Sequence, residues 1–488
     1  MEALEERIVL SYLGSFRVPS NDGSGRASQS PTKYGYSYGG DVSTVDAEGD
    51  ELWLSAHVHN LMIGKISIPD PVKPSDNLAF KELPVARATQ AAFDVTQGLR
   101  DQSVQDSFRT MVVGDLVPND DLVRWVMHDY YNVAQKPYRV LGSYNTQTGD
   151  AEGPYGLYDR NGESVRDQLS GRYLTTVPEE WSRYVGGTFA SGGGGLPGQT
   201  ILGSGPSLYA YSPPAAGADP QQTQVTATPL LEYPFDDHLP ADQRRGLEGW
   251  NRASESFDAV WIGDTVVFAA RIGIGEVWYG SSDGPGNLHD AYNPYKGYHA
   301  ERYEMRLLFY RASDFAAVAK GPLNPWDPKP FANVSMPNLM GSKTDSQFNA
   351  VSMSWDEATG KLYVVQTRVD HSRSRYDRKP IVHVYDLSEP DALKRWAFQL
   401  SGQTHTLRRL DSPTLQRTQS GTTLLGAKAD DGGLRQYRTL RTLSVEEKGD
   451  TATKDDGPEL NQTTKAEREM SNFWSLENDQ VLTVLNLG

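Results

Sequence analysis

The chain has 488 residues, of which 38% are hydrophobic and 10% aromatic, with 46 glycines and 29 prolines. That is enough apolar material to bury a sizeable core, and it excludes wholesale disorder. Lys plus Arg number 47 against 63 Asp plus Glu, a net charge of −16, so the surface has no general attraction for phosphate backbones and nucleic acid is not an expected partner. The absence of cysteine removes disulfides, thiolate nucleophiles and cysteine-ligated metal sites together. No apolar run reaches the ~20 residues of a membrane helix, so membrane insertion is not expected. The opening Met1-Glu2-Ala3-Leu4-Glu5-Glu6-Arg7 is acidic where a signal peptide is basic, so no export signal is read there.

The dominant pattern along the chain is short strands punctuated by turn residues. An apolar strand at Arg7–Leu13 comes first. Asp46 to Leu54 then places a Gly-containing turn before an apolar strand, and Asp356 to Val364 repeats it, with Asp six residues ahead of Leu each time. Gly263-Asp264 marks a third hairpin, between Phe257–Ile262 and Thr265–Ala270. A second recurring element alternates and then runs into Pro, Asp or Ser: Lys65–Pro69, Ser207–Tyr211, Arg306–Tyr310 and Ile381–Asp386. Short helices are expected at Ala86–Arg100 and Ser313–Lys320. Ser191–Gly195 reads as a flexible loop, and the Pro/Ala/Gln-rich stretch from Ser212 to Gln224 as an exposed insertion.

A hairpin followed by an outgoing strand, recurring irregularly, is the sequence signature of propeller blades. The expected fold is therefore an all-β β-propeller over residues 7–445, with about six or seven blades. Within its last part, Trp396–Leu400, Thr404–Leu410 and Thr422–Ala427 read as further strands. Residues 446–468 form a polar linker without periodicity. Residues 469–488 form a terminal hairpin that either closes the ring against Arg7–Leu13 or docks on a partner.

A set of local motifs runs in order through the chain. Tyr38-Gly39-Gly40, His57-Val58-His59, Trp181 to Gly187, Gly205-Pro206-Ser207 and Ala270 to Gly275 come first. Tyr279-Gly280, Lys296-Gly297-Tyr298-His299-Ala300 and Pro325 to Phe331 follow. As a set they resemble a large, mostly uncharacterised group of bacterial exported β-propeller-like proteins, over roughly residues 12–386. The resemblance implies a propeller and carries no activity. The chain differs in lacking the cysteines those relatives carry near the segment matching Trp278-Tyr279-Gly280, and in its acidic start. Both differences fit assembly in a reducing cytoplasm, as of a phage structural protein, or a mature chain whose signal has been removed.

Three chemistries are open. His57, His59, His128 and His299, with Asn60 beside the first two, are imidazoles that blades bring to an axis, either as metal ligands or as hydrogen-bonded rim residues and sugar contacts. No metal and no cofactor is expected. Asp41, Asp129, Glu276 and Glu301 are carboxylates placed near strand ends, as a propeller glycosidase uses a pair, or as solubilising surface charge. Tyr130 and Trp278 are aromatics in or next to axial loops, whose flat rings either stack on sugar faces while groups such as Arg271 and Arg302 bind hydroxyls, or fill the wedges between blades. The leading expectation is a non-enzymatic binding or structural module contacting glycans or neighbouring protein subunits. Its place would be extracellular, on a cell surface or on a virion. The alternative is a polysaccharide-degrading enzyme, a glycoside hydrolase or lyase, with its site at the axial mouth. Carboxylates converging on inner strands separate the second from the first.

Overall fold

The computed structural model describes residues 10–387 apart from 22, 24–34, 47–48, 58–61, 77–78, 103–110, 120, 130–131, 133–137, 195–202, 235–238, 241–242, 291–295, 337, 341–350 and 375. Beyond 387 it describes five strands between 395 and 438. The chain divides into two compact units, Ile8–Leu387 and a second made of Met1–Arg7 with Ser388–Gly488.

The first unit is a β-propeller of antiparallel sheets. Strand β1 is Ser11–Arg17. Sheet one contains β2 (Ser43–Val45), β3 (Glu51–Ser55), β4 (Ile63–Ser67) and β5 (Ala88–Phe93). Sheet two contains β6 (Met111–Asn119), β7 (Leu122–Asp129), β8 (Arg139–Asn145) and β9 (Ala151–Tyr158). Sheet three contains β10 (Tyr173–Thr176), β11 (Phe189–Gly193), β12 (Ser207–Tyr211) and β13 (Gln224–Glu232). Sheet four contains β14 (Glu255–Ile262), β15 (Thr265–Gly280), β16 (Gly297–Arg311) and β17 (Ala332–Ser335). Sheet five contains β18 (Val351–Asp356), β19 (Lys361–Ser374), β20 (Asp377–Asp386) and, as its fourth strand, β1. A short parallel pairing of β13 with β9 joins sheets two and three at their rims.

The first strand of each sheet packs on the first strand of the next, β2 on β6, β6 on β10, β10 on β14, β14 on β18 and β18 on β2, so these strands ring a common axis. Five sheets close the ring among the described residues, where about six or seven blades were expected. The count was high because each sheet uses more chain than a regular repeat: β15 has 16 residues and β19 has 14. The N-terminal strand pairs antiparallel with β20 from Ser11↔Asp386 to Arg17↔Ile381, completing sheet five. The hairpin expected at 469–488 and the linker at 446–468 lie outside the described residues.

The recurring sequence elements occupy equivalent places. The Asp46 and Asp356 motifs both turn from the first strand of a sheet into the second. Asp46 Oδ1 accepts the backbone N–H of Gly49 and Glu51, and Asp356 Oδ1 accepts those of Ala358 and Thr359. The short carboxylate thus replaces ladder bonds that the turn gives up. Lys65–Pro69, Ser207–Tyr211, Arg306–Tyr310 and Ile381–Asp386 fall on β4, β12, β16 and β20, each the third strand of its sheet.

Alternation along the strands fills the spaces between sheets. Leu52 and Leu54 face a cluster with Phe16, Tyr363 and Val382 of sheet five, while Trp53 between them faces Val113 and Trp125 of sheet two. Tyr173, Phe268 and Tyr310 do the same between sheets three and four. With both faces covered, β14 is buried along nearly its whole length.

Two local expectations change. Ala88–Phe93, within the segment expected to be helical, is strand β5, because pairing with β4 overrides its alanine content. Ser191–Gly193, expected to be flexible, is fully buried strand; a Cβ on Gly192 would come within 2.2 Å of the Tyr173 ring, so glycine here permits close packing. The helix expected at Ser313–Lys320 is present as Ala312–Lys320, ended by Gly321 in the left-handed region. Among the described residues no helix is long and apolar enough to cross a membrane.

In the second unit Arg395–Leu400 pairs with Gln403–Arg408, and Thr414–Arg417, Thr423–Lys428 and Leu434–Arg438 form a three-stranded antiparallel sheet. The strands read from the sequence there are among them.

Phe16 is fully buried on the ring-closing strand. Phe16→Ala should cost about 3–5 kcal/mol, lowering the melting temperature on the order of 10 °C at ~2–4 °C per kcal/mol. A melting curve within 2 °C of wild type, roughly, would show that β1 does not hold the ring closed.

Candidate functional site

Short polar side chains fasten the inner strands to one another. Asp115 Oδ2 on β6 accepts the Leu174 N–H of β10 at 2.8 Å, and Thr175 Oγ1 on β10 accepts the Trp261 N–H of β14 at 2.9 Å. Asp258 Oδ2 on β14 accepts the Met353 N–H of β18, and Ser354 Oγ on β18 accepts the Val45 N–H of β2. Asp115 and Asp258 each sit at an interruption of their strand's pairing register and also accept the N–H of the following residue, Leu116 and Ala259. The two carboxyls lie close enough to act on one another, and burial favours a protonated pair over two negative charges. Burial raises both, Asp258 to about 8, and Asp258's charge raises Asp115 further.

Where the inner strands begin, charged side chains from four sheets converge. Glu255, at the start of β14, is held through both oxygens: Arg172 Nη1, from the residue before β10, donates to Oε1 at 2.9 Å, and Arg271 Nη2 of β15 donates to Oε2 at 2.9 Å. Arg172 also donates to the Ser256 carbonyl at 3.2 Å. The ring of Phe257 lies under both guanidinium groups. Asp41, two residues before β2, stands within the field of Arg368, Arg172 and Glu255. It keeps part of its surface open, yet dense protein around it pushes its carboxyl above the usual range, against the pull of the two arginines.

His128 adjoins this group: its Nδ1 lies 3.3 Å from the Gly171 carbonyl, and burial with the Arg172 charge lowers its pKa to about 3. Its neighbour Asp129 is buried, and its backbone N–H donates to Asp167 Oδ2 at 2.7 Å. Asp167, buried and also bonded by Asn132 Nδ2, is raised to about 6.

The sequence-derived candidates therefore separate. Asp41, His128 and Arg271 reach the axial group, with Asp129 behind His128. Glu276, Trp278, His299, Glu301 and Arg302 lie instead on the long β15–β16 hairpin. There His299 stacks on Trp278 and bonds Asp290 at 2.8 Å, and Arg302 pairs with Glu304 on the exposed face. Glu276 and Glu301 meet through a backbone bond on that hairpin and join no axial carboxyl. His57 is buried against the Tyr38 ring. His59, Asn60 and Tyr130 lie outside the described residues. Among those described, no three His, Asp or Glu side chains converge in a way that would hold a metal ion. Sequence reading missed Arg172, Glu255, Arg368, Asp115 and Asp258. The placement of Arg172 and Glu255 at the beginnings of first strands was the only available signal.

No protein-family model and no curated protein matches the sequence. Among solved structures, an arabinanase of Bacillus subtilis is similar at 11% identity and a TM-score of 0.36, covering 72% of this chain and 95% of its own. An endo-arabinanase of glycoside hydrolase family 43 from Bacillus licheniformis matches at 9% identity and a TM-score of 0.34, covering 76% and 98%. A β-xylosidase matches at 10% identity and a TM-score of 0.34, covering 72% and 92%. The expectation of a non-enzymatic binding or structural module is corrected here: these counterparts are glycoside-cleaving enzymes. The axis also holds converging carboxyl groups, the feature set out above as separating an enzyme from a binding surface.

The Asp115–Asp258 pair has a pH signature. Its raised carboxyls favour the protonated form in the folded state, so their contribution is complete below about pH 4 and is lost as pH rises toward 8. His128 and His383, both lowered to about 3 by burial, act in the opposite sense, and only below about pH 6.5. Thermal stability should thus decline from pH 6.5 to pH 8, roughly, and Asp258→Asn should flatten that decline. Equal slopes for wild type and variant would show that the pair does not share a proton.

Proposed function

We propose that this chain hydrolyses glycosidic bonds at the axial mouth of its propeller. The observation that carries the reading is the pairing of Asp41 with Glu255, carboxyl groups from different sheets placed in unlike environments around Arg172. Two carboxyls in unlike surroundings can divide the roles of acid and base. Asp41, raised by burial, retains a proton at a pH where ordinary carboxyls have lost theirs. It is the group suited to protonate the leaving glycosidic oxygen as the bond to the anomeric carbon breaks.

Glu255 is the complementary carboxylate. Arg172 and Arg271 each occupy one lone pair on one of its oxygens, which fixes its orientation and leaves the others available. In that position it stabilises positive charge at the anomeric carbon and takes the proton of the attacking water. The water oxygen forms the new bond to carbon, and the leaving alcohol carries the proton from Asp41.

The test is release of new reducing ends from a panel of plant and bacterial polysaccharides by the purified full chain. Asp41→Asn should lower the rate by about 10²–10⁴-fold while the circular dichroism spectrum is unchanged. A wild-type protein that releases nothing from the panel, or an Asp41→Asn variant of undiminished rate, would overturn the proposal.

A further inference from the structure

The structure assigns a substrate class to this mouth: we infer that it takes a sugar bearing a carboxylate, a uronic acid, and that Arg368 recognises the carboxylate. The inference rests on the axial site proposed above for its location and on Arg368 for its chemistry. Arg368 lies where the pairing of β19 with β20 is interrupted between Gln366 and Asp370. Its φ of +60° is in the left-handed region, which a residue with a side chain enters at a cost. Strain of this kind persists where the surrounding structure enforces it, and here it accompanies a side chain whose charge acts on Asp41.

The hydrogen bonding of Arg368 is incomplete. Its Nε is buried and has no hydrogen-bond partner among the described residues. A buried guanidinium donor left unsatisfied is costly, and the Nε edge with a terminal nitrogen forms the planar fork that a carboxylate fits with two parallel bonds. A sugar hydroxyl would accept one such bond, whereas a carboxylate would accept two and balance charge as well.

Charge around the site favours the same occupant. Arg172 and Arg271 share the Glu255 carboxylate, and the charges of Arg172 and Arg368 both act on Asp41. This local concentration of guanidinium groups stands in a chain of net charge −16, which would otherwise repel an acidic polysaccharide. A neutral glycan needs no such concentration; a uronate does.

The experiment compares the free-acid and methyl-ester forms of galacturonate and glucuronate oligosaccharides, in which one methyl group removes the charge and the second anionic oxygen. Binding to the full chain is followed by calorimetry and cleavage by reducing-end release. The acid form of one pair should bind roughly tenfold or more tightly than its ester, with the difference shrinking in high salt. Arg368→Gln should erase the difference, and Arg368→Lys, which keeps the charge and loses the fork, should restore part of it. Equal binding of acid and ester, preference for the ester, or no binding of either pair overturns the inference. Acid-selective binding without cleavage of any polysaccharide supports it while removing the hydrolase reading. Cleavage confined to neutral polysaccharides does the reverse. Should Arg368→Gln fail to fold, the acid–ester comparison on the wild-type protein decides by itself.

Discussion

The first strand of each sheet has a neighbour on either side around the axis, yet ladder bonding in its own sheet occupies only one edge. Backbone N–H groups on the other edge face the neighbouring first strand and need acceptors there. Asp115, Thr175, Asp258 and Ser354 are those acceptors, each short enough to reach the adjoining first strand without separating the sheets. Every other feature of the propeller, from the apolar wedges to the charged mouth, presupposes that these strands stay in register around the axis.

Two of the four acceptors are carboxyls that face each other, and that choice links stability to protonation. One proton between Asp115 and Asp258 satisfies both groups, whereas two negative charges in a buried site would repel. Arg172 is placed to act on both levels: its charge lowers Asp258 below what burial alone would give, and its guanidinium holds Glu255. Through that one side chain the fastening of the ring and the proposed chemistry share an electrostatic environment. A buried ion pair contributes little net stability once desolvation is counted. The double arginine clamp on Glu255 is better understood as fixing the orientation of a carboxylate than as holding sheets together.

The long β15–β16 hairpin absorbed several residues that looked chemical in the sequence. Trp278, His299 and the buried Asp290 form a compact network in which Tyr303 also donates to Asp290. His299 has a structural neighbour at each ring nitrogen, Asp290 at Nδ1 and the Gly280 carbonyl at Nε2. The Lys296–Ala300 motif is therefore legible as packing of a hairpin rather than as part of the axial site.

The sequence by itself determined the recurring hairpins and their turns, because these depend on local chemistry: alternation sets the two faces of a strand, and Asp placed ahead of Gly closes a hairpin whatever surrounds it. It also placed the third strands correctly, since their outgoing ends carry a recurring pattern. It placed Asp41, His128 and Arg271 among candidates for a site. Only the tertiary structure decided the number of sheets in the ring, which depends on Ser11–Arg17 meeting Asp377–Asp386 across almost the whole described unit. It alone distinguished Arg172, Glu255 and Arg368 from the other charged residues of an acidic chain. A charged side chain at the start of a strand has the same local signature whether it faces solvent or an axis, and what separates the two is the convergence of strands distant in sequence.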